Sequence, residues 1–475
     1  MARKTRRVLW IYWGLLSVTM AAYLTTGMLD KSAAHSPLLA TARAMLVPGQ
    51  TTHGHYQIEL ACESCHGNAF EGREAIQQAC VQCHGAELKD ADDKHPASRF
   101  DDPRNADRLE KLDAQSCATC HVEHRPDITL AMGVTKPADV CFQCHSGKDE
   151  MPPDHRDFKF DGCTAAGCHN YHDNRALYED FLLKHSHEAR MLEKALLPQR
   201  ELGAAVKEMA SYPAAQYPLQ PLSSGQQDAP FGKTASAALH TDWQATAHAQ
   251  AGVNCSGCHV PRQGADSGKW IERPKGTQSC AGCHVEETSG FQAGKHGMRL
   301  AQGLSAMTPG VARQPMKTDV AHRELGCTSC HGAHRFETKT AAVESCLGCH
   351  NDRHSLAYKQ SPHYAMWQRE AAGLAPAGSG VSCASCHMPR VKMPTADGAR
   401  IVVQHNQNDT LRPNEKMIRA TCMACHGLGF SIDALADTRL VTGNFRGMPS
   451  RHVVSIDMAI ARKEEKQRER ALGSP

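Results

Sequence analysis

All 22 cysteines of this 475-residue chain fall into one recurring unit, a pair of thiols followed at once by histidine, and that regularity limits the fold more than any other feature. In chain order the first five units are Cys62, Cys65 and His66; Cys80, Cys83 and His84; Cys117, Cys120 and His121; Cys141, Cys144 and His145; and Cys163, Cys168 and His169. The other six are Cys255, Cys258 and His259; Cys280, Cys283 and His284; Cys327, Cys330 and His331; Cys346, Cys349 and His350; Cys383, Cys386 and His387; and Cys422, Cys425 and His426. Ten place two residues between the thiols, and the fifth places four. Five units lie between Cys62 and His169 and six between Cys255 and His426.

Three chemistries use paired thiols. Disulfide frameworks suit an exported chain, and zinc knuckles need only Cys-x-x-Cys pairs, but neither demands any particular residue after the pair. Here His follows all eleven pairs although it makes up only 29 of 475 residues. The reading that requires it is covalent haem: two thiols add to the vinyl groups as thioethers and the adjoining imidazole rises beneath the iron. The sequence therefore predicts eleven haem c groups on these cysteines, with the eleven motif histidines as proximal iron ligands. It also accounts for a chain with only 5% aromatic residues, because the flat apolar macrocycles supply the buried surface that side chains do not. The expected fold class is mainly α with extensive loops, packed around haem in two clusters.

Eleven proximal histidines leave 18 others, and that surplus favours a second imidazole on most irons. The candidates for the sixth position are His53, His55, His95, His124, His155 and His172 in the first cluster. In the second they are His240, His248, His296, His322, His334, His354, His363, His405 and His452. An ordinary surface histidine is the competing reading for any one of them. His35, next to the apolar N-terminal run, and His185 and His187, between the clusters, are disfavoured. Methionine is a second option for the sixth position, but none of the 18 Met residues recurs at a fixed place relative to the motifs.

Arg3, Lys4, Arg6 and Arg7 precede an uncharged run from Val8 to Leu29, long enough to cross a bilayer once with the basic flank in the cytoplasm. A cleaved signal peptide is the alternative. Its apolar region is normally shorter, and Ala42-Arg43-Ala44 lies well beyond the run. The expected layout is an anchor over 1–30, a pentahaem domain over 50–173, a helical and Pro-rich connector over 174–238, a hexahaem domain over 239–460 and a charged tail over 461–475. The haem domains would stand in the periplasm. A formal charge of +3 gives no electrostatic case for nucleic acid.

Part of the second cluster resembles the superfamily of hydroxylamine oxidoreductase and the pentahaem nitrite reductases. The resemblance lies in Cys346-Leu-Gly-Cys-His-Asn-Asp-Arg-His354, Ser361-Pro-His363, Gly380-Val-Ser-Cys-Ala-Ser-Cys-His-Met-Pro-Arg390 and His248-Ala-Gln-Ala-Gly-Val-Asn-Cys-Ser-Gly-Cys-His259. It implies a catalytic, five-coordinate haem on His350, with Asp352 and His354 handling protons. Three departures bear on this: Arg353 separates Asp from His, no Cys-x-x-Cys-Lys site exists, and the last tyrosine is Tyr364. Any catalysis implied by the resemblance is therefore reductive. The first cluster is similar to class III-type periplasmic multihaem cytochromes, in which four-residue gaps occur and histidines soon after a motif, like His124 and His172, ligate neighbouring haems. A membrane helix ahead of haems is similar in architecture to the quinol dehydrogenases of periplasmic nitrate and nitrite respiration.

Two functions follow as expectations. One is an electron conduit of anaerobic respiration, taking electrons from a quinol-oxidising partner and passing them to another redox protein. The other is a reductase of nitrite, hydroxylamine or a sulfur oxyanion at an open haem in the second cluster, with His350, Asp352 and His354 as its site and Arg353 beside it.

Overall fold

The computed structural model describes residues 2–29, 37–67, 72–90, 103–106, 112–130, 133–135, 172, 178–199, 215, 220–233, 236–262, 264–274, 276–395, 398–411 and 416–472. The chain divides into two compact units. One comprises Met1–Gly162, Tyr171–Asp173 and Met298–Ala306, the other Cys163–Asn170, Asn174–Gly297 and Met307–Pro475. The stretch expected as a connector thus belongs to the second unit, while a short piece near residue 300 belongs to the first.

In the first unit the helix Ala2–Leu29 contains the span Thr5–Thr26, the one helix among the described residues long and apolar enough to cross a membrane. Its large side chains point outward along its length, Trp10, Ile11, Leu15 and Leu16 among them. The hydroxyls of Thr19, Thr25 and Thr26 donate to the carbonyls of Leu15, Ala21 and Ala22 at 2.7–2.8 Å. Those bonds satisfy the three threonine hydroxyls within the helix itself, as apolar surroundings require.

Beyond this helix the unit is built mostly of short turns. The helix Pro37–Leu46 carries Arg43, whose side chain is 1% exposed; its Nη1 donates to Leu60 O at 2.7 Å and to Glu63 Oε2 at 2.9 Å. Arg299 donates to Gln57 O at 2.7 Å, and Ser64 Oγ to Gln302 Oε1 at 2.6 Å. Polar clasps of this kind hold loops that lack an apolar core. Both apolar clusters among the described residues lie in the second unit.

The second unit is mostly short helices joined by loops. Its larger cluster packs Leu182, from the helix Glu179–Lys184, with Met417, Ile418, Leu428, Ile432, Leu435, Ile456 and Ala459. The smaller groups Val343, Leu347 and Tyr358. A hairpin, β1 (Arg390–Thr395) and β2 (Gly398–Val403), is the one sheet among the described residues, antiparallel with Arg390 opposite Val403. Helical structure with few strands agrees with the expected class.

Candidate functional site

Most of the described cysteine motifs fold as a single helical turn. The backbone N–H of the motif histidine donates to the carbonyl of the first cysteine, at 2.9 Å for His66, His121 and His350, 3.0 Å for His259, and 2.8 Å for His284 and His426. Residues three and four apart share one face of such a turn. Both thiols and the imidazole are thereby brought to one side, the arrangement that a tethered macrocycle requires. The second motif differs: Cys80, Cys83 and His84 lie inside the long helix Arg73–Asp90.

The thiols are not equally covered by protein. Cys62, Cys83 and Cys330 are exposed and Cys425 is buried, while the other described cysteines are half-buried. Among the described residues the Cys83 thiol stands on an exposed stretch of the helix, so its vinyl attachment would sit at the protein surface.

Opposite every described motif histidine stands a second imidazole. In the first unit His66 faces His124 with ring centroids 6.5 Å apart, His84 faces His55 at 6.0 Å, and His121 faces His172 at 6.1 Å. In the second unit His259 faces His334 at 6.0 Å, His284 faces His248 at 5.9 Å and His331 faces His405 at 6.3 Å. There too His350 faces His296 at 6.3 Å, His387 faces His354 at 6.0 Å and His426 faces His363 at 6.3 Å. These separations fit an iron. With a metal–imidazole bond of about 2 Å on each side and about 1 Å from each nitrogen to its ring centre, the expected spacing is about 6 Å. Among the described residues no three or more His, Cys, Asp or Glu side chains converge as a metal-binding group, so the donors come in twos.

The protonation state fits as well. Burial pushes His248, His296, His363 and His387 down to about 4, so these rings are neutral at pH 7, the form that donates a lone pair to a metal. Several of the paired rings have their other nitrogen tied to backbone. The Nδ1 atoms of His121, His259 and His426 lie 2.8–3.0 Å from the carbonyls of Gly133, Ile271 and Arg190. Those of His124, His354 and His405 lie 2.5–2.9 Å from Gly49 O, Val441 O and Val403 O. A carbonyl at Nδ1 fixes the tautomer and puts the lone pair on Nε2, which at His354 is met by Asn444 Nδ2 at 3.3 Å. Sequence reasoning missed these six acceptors, because a carbonyl can belong to any residue. Trp270, stacked on His259 at 4.6 Å, was missed too.

Some candidate histidines face no motif histidine among the described residues. His53 lies 5.9 Å from Tyr56. His240 and His322 face no motif histidine among the described residues. His452 is exposed and sits between Asp433 and Asp457 at 3.2 and 2.6 Å, a surface ion pair. His185 bonds Glu188 at 2.5 Å and packs on Phe181. His35, His95 and His155 lie outside the described residues. So do two of the expected haem sites: Cys141, Cys144 and His145 of the fourth motif, and Cys163, Cys168 and His169 of the fifth.

The grouping expected around His350 is divided by the structure. Asp352 Oδ1 caps the helix Arg353–Ala357 by accepting from Ser355 N at 3.0 Å, and its other oxygen accepts from Ser355 Oγ at 2.7 Å. The carboxylate stands 3.7 Å from Nδ1 of His350, on the imidazole's outer nitrogen. The capped turn carries His354 to His387, where Asn444 Nδ2 contacts it at 3.3 Å. The place opposite His350 is taken by His296 instead.

Successive motifs also touch. In the second unit the helix Gly276–Ala281 packs on Ser256–His259 and on Cys327–His331, and the latter packs on Glu344–Leu347. Ser345 Oγ donates to Cys330 O at 2.6 Å, Ala384 N to Ala342 O at 3.2 Å and Thr421 Oγ1 to Ser385 O at 3.5 Å. Cys386 and Cys422 pack on the same apolar cluster, and burial pushes both thiols up to about 12. In the first unit the helix Arg73–Asp90 packs on Cys117–Cys120, and Gln77 Oε1 accepts from Cys117 N at 2.9 Å.

Two family models match the chain. One, cytochrome c3, covers residues 54–146, and the other, cytochrome c552, covers residues 350–437. No solved structure matches it. Both families carry covalently bound haem c, the group that the paired imidazoles and thiols fit.

Proposed function

We propose that this chain, a multihaem c-type cytochrome with a cytochrome c3-like N-terminal region and a cytochrome c552-like C-terminal region, is a membrane-anchored electron conduit carrying eleven haem c groups. The observation that supports it above all others is the pairing: each described motif histidine has another imidazole opposite it at 5.9–6.5 Å. Haem c, when bound with both axial positions filled, supplies an iron that changes oxidation state and leaves no place for substrate.

The residues divide that work. Paired thiols would tether each group, and each motif histidine would supply one ligand to its iron. His55, His124, His172, His248, His296, His334, His354, His363 and His405 would supply the second ligand to the irons of the motif histidines they face. Backbone carbonyls at Nδ1 keep the rings oriented, and the packing of motif on motif keeps the sites close enough for electrons to pass. On this reading His350, Asp352 and His354 are no catalytic set. His350 and His354 belong to two separate ligand pairs, and Asp352 is a helix cap.

The helix Ala2–Leu29 anchors the chain in the cytoplasmic membrane, with the basic N-terminus inside and the haem-bearing units in the periplasm. There it takes electrons from a quinol-oxidising partner and delivers them to a second redox protein. Electron paramagnetic resonance of the oxidised protein tests this reading. Only low-spin iron is expected, with a mass increase of eleven haems. A high-spin component that binds nitrite or hydroxylamine would replace the conduit with the reductase.

A further inference from the structure

Three consecutive motifs of the first unit recur, with two of their pairings, in the second. Six residues separate His55 from Cys62, and six separate His248 from Cys255. In both places this upstream histidine faces the motif histidine of the following unit, His84 or His284. A glutamate three residues on, Glu87 or Glu287, stands 3.8 Å from Nδ1 of that motif histidine in each case. The third motif ends identically: His124 follows His121 by three residues and His334 follows His331 by three, and they face His66 and His259. Both His124 and His334 adopt left-handed backbone, with φ of 61° and 68°, a conformation rare outside glycine. Spacing, pairing and backbone agree, so one three-site module occurs twice.

Equivalent sites in two copies isolate whatever differs. Between His121 and His124 the residue next to the second histidine is Glu123; between His331 and His334 it is Ala333. Glu123 reaches the ligand set of the middle site. Its Oε1 accepts from His55 Nδ1 at 2.5 Å and from Thr52 Oγ1 at 2.7 Å, while Oε2 accepts from Thr52 N at 2.8 Å. In the second copy the corresponding nitrogen, His248 Nδ1, is buried with no hydrogen-bond partner among the described residues, and Phe336 stands edge-on to the ring at 4.8 Å.

A carboxylate that takes the Nδ1 proton in a hydrogen bond makes the opposite nitrogen a stronger donor to a metal, which favours the oxidised iron. We infer that Glu123 is a positioning residue that sets the midpoint potential of the His55/His84 site below that of its twin, the His248/His284 site. The module is thus used twice, with a carboxylate on the upstream histidine of one middle site and none among the described residues on the other, and the two middle sites differ in how readily they release an electron.

The inference rests on the six-coordinate reading above. Its test is an optical redox titration of the full-length, haem-loaded protein, with spin state recorded on the same samples. Glu123→Gln should move one low-spin haem to a more positive midpoint, and Ala333→Glu should move one to a more negative midpoint. Thr52→Ala removes a contact to Glu123 but spares the imidazole–carboxylate bond, and should titrate like the parent. A Glu123→Gln curve that superimposes on the parent, or a Thr52→Ala shift of the same size, would overturn the inference. If Glu123→Gln loses haem, Ala333→Glu decides alone, and absence of a downward shift overturns it. High-spin iron in the parent protein would instead sink the six-coordinate reading.

Discussion

Replacing His296 with alanine separates the conduit from the reductase at the site where they diverge most. His296 is the imidazole opposite His350, 6.3 Å away, and its removal leaves that iron with one axial ligand. The haem on Cys346 and Cys349 should become high-spin, contributing about one eleventh of the total haem if all eleven motifs are loaded. Losing the ring also opens a void of roughly 60 Å³, which at about 24 cal/mol per Å³ costs about 1.5 kcal/mol. That cost lowers the melting temperature by about 2 °C for a unit of about 300 residues, at about 2.1 cal/mol/K of unfolding entropy per residue. Resonance Raman or magnetic resonance of the oxidised variant reads the spin state directly, and added imidazole should restore the low-spin signal. A His296→Ala protein that keeps its full haem content and stays wholly low-spin in imidazole-free buffer refutes the assignment of His296 to that iron.

Three further outcomes follow from other parts of the structure. Asp437 accepts from Arg439 N and Leu440 N at 3.0 and 3.1 Å, and takes Ser450 N and Oγ at 2.8 and 2.7 Å. Asp437→Ala removes a helix cap and strands those donors, so it should lower the midpoint of chemical denaturation while leaving the haem spectrum unchanged. His452 is raised above its ordinary value by hydrogen bonds to Asp457 and Asp433. Its stabilising contribution is full below about pH 6.5 and fades as pH rises through the raised value, by a small amount because the pair is exposed. Hydrogen exchange at the start of the helix Ser455–Leu472 should speed up over that range, and His452→Gln should remove the pH dependence. Exchanging residues 2–29 for a cleavable export signal should move the protein from the membrane fraction to the soluble fraction with unaltered haem absorption. Continued sedimentation with membranes would show that another feature holds it there.

Some of this architecture is legible in the sequence and some is not, for a physical reason. The thiol pairs and motif histidines are local, fixed by a single helical turn, and the apolar run from Val8 to Leu29 declares its helix by length. Pairing is non-local. His331 meets His405, which arrives only after the β1–β2 hairpin, and no spacing rule reveals that. Proximity along the chain even misleads: Asp352 and His354 follow His350 closely, yet the turn capped by Asp352 carries His354 to His387. The repeated module is present as letters, in the equal intervals ahead of Cys62 and Cys255 and in the two His-x-x-His endings. Only the facing rings identify those intervals as equivalent, and only then does Glu123 stand out from its counterpart Ala333.

The direction in which the facing histidines lie along the chain bears on how the protein is assembled. For a polypeptide threaded through a translocation pore N-terminus first, His55, His248, His296, His354 and His363 emerge before the motifs they face, so those sites can close as soon as haem is attached. His124, His172, His334 and His405 emerge after theirs. The haems on His66, His121, His259 and His331 must therefore wait half-clasped until more chain arrives. In each of these four intervals the next two motifs emerge before the facing histidine appears, and the wait is longest for the haems on His259 and His331.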